Sequence, residues 1–137
     1  MYLLVVRIKQ PLRFAAGALG EIPLEPGWYI YVGSARRNLN ARLARHHRRE
    51  KKLHWHIDYL LAMTEPAEVR SVPIYTHQDL ECRLARDLAA AAAGSVPGFG
   101  CSDCRCRSHL FCFESDPLHS GSLLEILLHY RNTFAVQ

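Results

Sequence analysis

The chain has 137 residues, 49% of them hydrophobic and 22% charged, and its 17 basic and 13 acidic side chains leave a net charge of +4. That length holds one domain with a real core, and the composition excludes long disorder. No apolar run approaches the roughly 18 residues that cross a bilayer, so no membrane partner is expected. The opening, MYLLVVRIKQ, has no basic lead and no small-residue cleavage site; it reads as a strand, and the cytoplasm is the expected compartment.

Met1 to Ile8 is predicted as a strand, dense in Tyr, Leu and Val and bounded by Lys9, Gln10 and Pro11. Residues 9–26 are interrupted by proline and glycine and read as a long connection with a short strand at Ile22–Leu24. Trp28 to Val32 is the strongest strand signal, broken by Gly33, Ser34 and Ala35. Asn38 then caps a predicted helix running to about Glu50. Leu39 and Leu43 mark its apolar side, while Arg42, Arg45, His46 and Arg49 share a cationic one. His54 to Met63 is a second helix, and Glu68 to Tyr75 a strand weakened by Pro73. Asp79 to Ala93 is an alanine-rich helix with an acid near its start and Gly94 as its stop. Residues 96–107 form an irregular loop, residues 108–114 a strand, and residues 122–131 a last helix whose tail is expected to fray. The order β-β-α-α-β-α-β-α predicts one α/β (α+β) domain over residues 1–137, with a small, mainly antiparallel sheet flanked by helices. Its core spans about residues 1–113.

Charge is concentrated rather than spread. Arg36, Arg37, Arg42, Arg45, Arg48, Arg49, Lys51 and Lys52 are 8 of the 17 basic residues, with Glu50 the one acid among them. A solvated helix face usually alternates sign, so this run points to a polyanion such as duplex or branched DNA. Gly33 and Ser34, just ahead of the helix, offer backbone N–H groups to a phosphate. The five cysteines, Cys82, Cys101, Cys104, Cys106 and Cys112, are odd in number and clustered, which suits reduced thiols better than a disulfide framework. Cys101, Cys104, Cys106 and His109 carry zinc-type donors, although one tight loop is a poor match to two separated ligand pairs. A Ser102-Asp103 turn with Cys104 packed inward, and His109 brought near His54 or His56, is the preferred reading. His54, His56 and Asp58 alternate through HWHIDY. On a helix His54 and Asp58 share a face, suited to acid–base work or metal ligation, with buried hydrogen bonding and a core Trp55 as the alternative.

Tyr31-Val32-Gly33, followed by Arg42 and His46, resembles the GIY-YIG nuclease superfamily. Tyr2 fits the first tyrosine of that pattern and Glu81 its later glutamate. More narrowly, four ordered motifs resemble a small branch of uncertain function, whose members occur alone or attached to endonuclease III-like DNA repair proteins. They are GWYIYVGSA, HWHIDYLL, the Glu81-Cys82 pair and the stretch Phe99–Phe111. The resemblance implies a metal-dependent DNA endonuclease. Tyr2 or Tyr31 would orient or deprotonate a water, Arg42 would clamp the phosphate with His46 beside it, and Glu81 would hold one Mg²⁺. Two alternatives stand beside it: a non-catalytic nucleic-acid binding module using a basic helix over 38–52, and a zinc-stabilised interaction domain.

Overall fold

A computed structural model describes residues 1–134; the end of the expected domain, with the tail expected to fray, falls at 135–137, outside the described residues. The strands are β1 (Tyr2–Ile8), β2 (Leu12–Ala15), β3 (Glu21–Leu24), β4 (Gly27–Gly33), β5 (Val69–Pro73), β6 (Gly94–Ser95) and β7 (Leu110–Phe113). The α-helices are α1 (Leu39–His47), α2 (His56–Leu61), α3 (Glu81–Ala91) and α4 (Gly121–Phe134). Five strands form one antiparallel sheet in the order β5-β1-β4-β7-β6, and β2 and β3 make a separate hairpin. The domain is α+β, as its pattern predicts.

The sheet is covered on both sides, and β1 shows it. Tyr2, Leu4, Val6 and Ile8 point to one face, where they meet Tyr29, Tyr31, the hairpin, Leu43 of α1 and Ile57 and Leu60 of α2. Leu3 and Val5 point to the other, against Ile30, Val32, Leu84 and Leu88 of α3 and Leu127 of α4. Side chains alternate along a strand, so a strand buried on both faces is apolar almost throughout. The layers are thus helices and hairpin, sheet, and a second pair of helices.

Local chemistry moves several boundaries from their predicted places. The connection over 9–26 holds a hairpin, because Gly17 and Gly20 turn the chain at φ 54° and 71°. The helix predicted to Glu50 ends at His47, and Arg48 is already extended. Lys51 donates to the carbonyls of Arg45 at 3.1 Å and His46 at 2.7 Å, satisfying the helix end. The basic stretch 38–52 is therefore a nine-residue helix and a loop. The second helix starts at His56 instead of His54, because Asp58 accepts the N–H groups of His54 and Trp55 at 2.9 Å each. Gly94 does not stop α3: the helix ends at Ala91, and Gly94 pairs with Cys112 in β6.

Candidate functional site

The site lies where β1 begins and β4 ends. Tyr2 pairs with Gly33, and its ring lies so close over that residue that a Cβ there would stand 2.4 Å from ring atoms. Gly33 makes room for an aromatic ring, a duty different from the phosphate contact expected of it. The Tyr31 ring follows at 6.3 Å from that of Tyr2. Asn38 holds the turn into α1 with φ 48°, a left-handed conformation asparagine tolerates, and its side chain accepts from Ala41 N at 3.0 Å.

One turn apart on α1, Arg42 and His46 face this corner. Tyr2 Oη lies 2.6 Å from His46 Nε2, and His46 is 3% exposed. It belongs to the buried side of α1, not to the cationic face expected of it, and it reaches the cleft through Tyr2. Its Nδ1 has no partner among the described residues. His46 Nε2 donates to Tyr2 Oη in one tautomer and accepts from it in the other; in the donating tautomer Nδ1 is a buried acceptor without a partner. The hydrogen of Tyr2 is then free to point into the cleft. Burial, and next the charge of Lys51 with Arg45 and Arg42, lowers the His46 pKa to about 4 against the pull of Asp58. Burial pushes the Tyr2 phenol up to about 12, with Arg42 opposing; Tyr31 is raised further, by burial and then by Tyr2.

Arg42 is aimed by two contacts. It donates to Ser34 O at 3.0 Å, and its guanidinium lies 4.3 Å from the centre of the Trp55 ring. Arg45 lies 4.3 Å from the same ring and forks onto Asp58, with Nη1 on Oδ1 at 2.8 Å and Nη2 on Oδ2 at 2.9 Å. Asp58 is 0% exposed, and although burial raises its pKa, the Arg45 fork and the two N–H groups hold it below the usual range. Asp58 is thus a structural anchor and not an acid–base partner of His54. Trp55, placed in the core on the alternative reading, is half-buried: it packs against the core cluster and also lines the cleft. His56 Nδ1 accepts from Gly100 N at 2.9 Å; His54 and His56 both line the cleft, while Asp58 is turned to Arg45 and to the N–H groups of His54 and Trp55.

Glu81 opens α3 on the far wall. Its Oε2 accepts from Ser34 Oγ at 2.7 Å, and its Oε1 lies 3.0 Å from His109 Nδ1. Burial raises its pKa, but these two bonds outweigh that and keep it below the usual carboxylate range. His109 therefore meets Glu81, not His54 or His56. Its other nitrogen, Nε2, lies 3.5 Å from Cys104 Sγ and 4.0 Å from Cys82 Sγ. With Cys106 these donors all fall within 4.8 Å of one another, an arrangement able to hold a metal ion. Cys82 was not among the expected ligands. Its one sequence signal is its place next to Glu81, which puts it on the first turn of α3. Cys101 stands beside Cys104 but outside this set of four, with its thiol donating to Phe99 O at 3.4 Å.

Two openings meet here. A cleft of about 370 Å³ is lined by Tyr2, Tyr31, Arg42, His54, Ser102 and others. A larger cavity of about 810 Å³ is lined by Arg36, Cys82, Cys104 and His109 among others, and the two share Ser34, Glu81, Gly100 and Asp103. Ser102 and Asp103 are exposed on this rim. Gly100, at φ 74°, brings the cysteine loop against Tyr31, where a Cβ would meet a ring carbon at 3.1 Å.

The basic run divides. Arg45, Arg49 and Lys51 are tied to the protein, Arg49 through Thr64 O at 2.7 Å. Arg36, Arg37, Arg48 and Lys52 are exposed, with no hydrogen-bonded side-chain partner among the described residues.

Residues 1–129 match the model of a family described as "Domain of unknown function DUF123". The chain is a member of that family. No curated protein and no solved structure matches the DUF123 chain. The family description states no function, so for this DUF123 domain the chemistry has to be argued from the side chains. No helix among the described residues of the DUF123 domain is long and apolar enough to cross a membrane.

Proposed function

We propose that this domain is a GIY-YIG-like endonuclease that hydrolyses phosphodiester bonds in DNA with a magnesium ion held at Glu81. The observation that carries the reading is the convergence of Tyr2, Tyr31, Arg42 and Glu81, from four separate elements, on one cleft. Their spacing in sequence, from residue 2 to residue 81, gives no packing reason for two tyrosines, an arginine and a glutamate to share one opening.

Glu81 fits the ion. A carboxylate has about four lone-pair positions, and Ser34 and His109 take one each. Magnesium needs only one or two carboxylates and keeps most of its waters, and when bound it supplies Lewis acidity to the phosphate oxygens. Arg42 keeps most of its donors free after its bond to Ser34 O, and its fork can span two phosphate oxygens where charge grows. Tyr2 is a phenol at neutral pH; with His46 Nε2 fixing its oxygen, it orients the attacking water. The exposed Arg36, Arg37, Arg48 and Lys52 extend positive charge from the cleft along the strand's path.

The test is cleavage of labelled duplex, flap and junction DNA with magnesium, for wild type and Glu81→Gln. The variant should bind DNA as wild type does and fail to cut it. Cleavage surviving in the purified variant would remove Glu81 from the site. DNA binding without cleavage by wild type on every substrate would instead make the domain a nucleic-acid binding module.

A further inference from the structure

We infer that Cys82, Cys104, Cys106 and His109 bind one zinc ion, and that the ion positions Glu81 through the His109 ring. Three thiols and an imidazole from three elements meet here: the first turn of α3, the irregular loop and the start of β7. For zinc–sulfur and zinc–nitrogen bonds of about 2.3 and 2.0 Å, a tetrahedron places its ligands about 3.5–3.8 Å apart. His109 Nε2 already stands 3.5 Å from Cys104 Sγ and 4.0 Å from Cys82 Sγ, so only small shifts close the site. Three thiolates with one imidazole and no carboxylate select zinc over magnesium or calcium. Four protein ligands leave no open position, so the site is structural.

The loop is anchored by Phe99, fully buried in the core, and by Gly100 N on His56 Nδ1 at 2.9 Å. Between Gly98 and His109 it is pinned by backbone bonds such as Gly98 N to Arg107 O at 2.7 Å and His109 N to Phe99 O at 2.8 Å, and Cys104 and Cys106 lie outside any helix or strand. Zinc ties this loop to α3 and β7, releasing the thiol protons as it binds.

His109 then does two jobs. With Nε2 on the metal, its one proton sits on Nδ1 and is donated to Glu81 Oε1, at 3.0 Å. Metal-bound histidines are commonly fixed by a carboxylate in this way. Here the dependence also runs outward: the zinc fixes the ring, and the ring fixes the carboxylate that faces the cleft. The zinc site stands on its own geometry, while the consequence for magnesium rests on the endonuclease reading.

The experiment is metal analysis of the full chain, purified without chelator, with cobalt reconstitution. One zinc per chain is expected, and cobalt should give the intense visible bands of a tetrahedral ion with thiolate charge transfer. Cys82→Ser and Cys106→Ser should lose the ion, and Cys101→Ser and Cys112→Ser should keep it. A chain with no zinc, with stoichiometric iron instead, or with a weak octahedral cobalt spectrum overturns the site. This holds whether or not the protein cuts DNA. For the link to Glu81, His109→Cys offers a fourth thiolate but no hydrogen bond. It should keep its zinc and melting temperature, yet bind Mn²⁺, read by electron paramagnetic resonance, about tenfold more weakly. Unchanged Mn²⁺ affinity, or loss of zinc from this variant alone with Mn²⁺ affinity kept, overturns the coupling.

Discussion

The cleft around Tyr2 and the cluster around Cys104 meet at Glu81 but are held by different forces. Tyr2 lies on a strand paired on both sides, Arg42 on a helix packed against that strand, and Trp55 stacks with two guanidinium groups, each 4.3 Å from its ring centre. Every part of that wall is fixed by packing, ladder hydrogen bonds and one buried ion pair. Cys104 and Cys106 sit on an irregular loop outside any helix or strand, where ligation is a natural source of order. A site built on a sheet is preorganised by its fold; a site built on a loop needs a staple.

The largest effect expected on the cleft side comes from its ion pair. Asp58→Ala leaves Arg45 without its fork and frees two backbone N–H groups, and should cost about 3–5 kcal/mol in urea unfolding. The double replacement Arg45→Met, Asp58→Leu should lose much less, because it removes both charges. An equal loss in the two would show that the pair is not what holds the wall.

His46 comes next. Its pKa is about 4 in the fold against 6.5 as the ordinary value. The unfolded chain therefore binds the extra proton between those values, so the stability from this ring is full above pH 6.5 and is lost as pH falls towards 4. The total is at most about 3 kcal/mol. Unfolding free energies across that window for wild type and His46→Gln should differ in slope, with the variant flatter. Parallel curves would place the ring elsewhere.

A smaller loss is expected from Gly33→Ala. The new Cβ would meet the Tyr2 ring, and overpacking of this kind costs about 1–3 kcal/mol. Combined with Tyr2→Ala the strain should vanish, giving a strongly non-additive cycle. Additive losses would mean that ring and glycine do not touch.

Those glycine, tryptophan and cysteine duties explain what the sequence did and did not make legible. β1, β4 and α3 were readable because apolar periodicity and β-branched runs are local signals. The hairpin at 12–24 was legible only in its second strand, Ile22–Leu24, since Leu12–Ala15 is short and directly follows Pro11. The tyrosine, arginine and glutamate of the cleft could be named in advance through motif resemblance. His46 could be named with them, but not its contact: it sits on the cationic stripe of a helical wheel, and only the tertiary fold turns it under Tyr2. Cys82 lies nineteen residues before Cys101, and spacing alone does not show that the first turn of α3 passes over the loop. Asp58 reads as an acid beside two histidines until the backbone N–H groups it accepts are seen.

The outer charges should give the gentlest response. Replacing Arg36, Arg37, Arg48 and Lys52 with alanine should leave folding intact and reduce the dependence of log affinity on log salt. The reduction should be about 0.9 for each charge that meets a duplex phosphate. Arg45, Arg49 and Lys51 are already spent inside the protein, so alanine there should act on stability first. An unchanged salt slope in the fourfold variant would move the nucleic-acid surface away from this edge.

Arg42 tests the central claim most directly, because on the proposed reading it is the cation that would clamp the phosphate. Single-turnover cleavage of a labelled DNA duplex would be compared for wild type, Arg42→Ala and Arg42→Lys. Losing the fork should cost about 3–4 kcal/mol, a factor of about 10² to 10³ in rate. Lysine should rescue poorly, since an ammonium keeps the charge without the bidentate geometry. Equal rates in all three proteins would contradict the account.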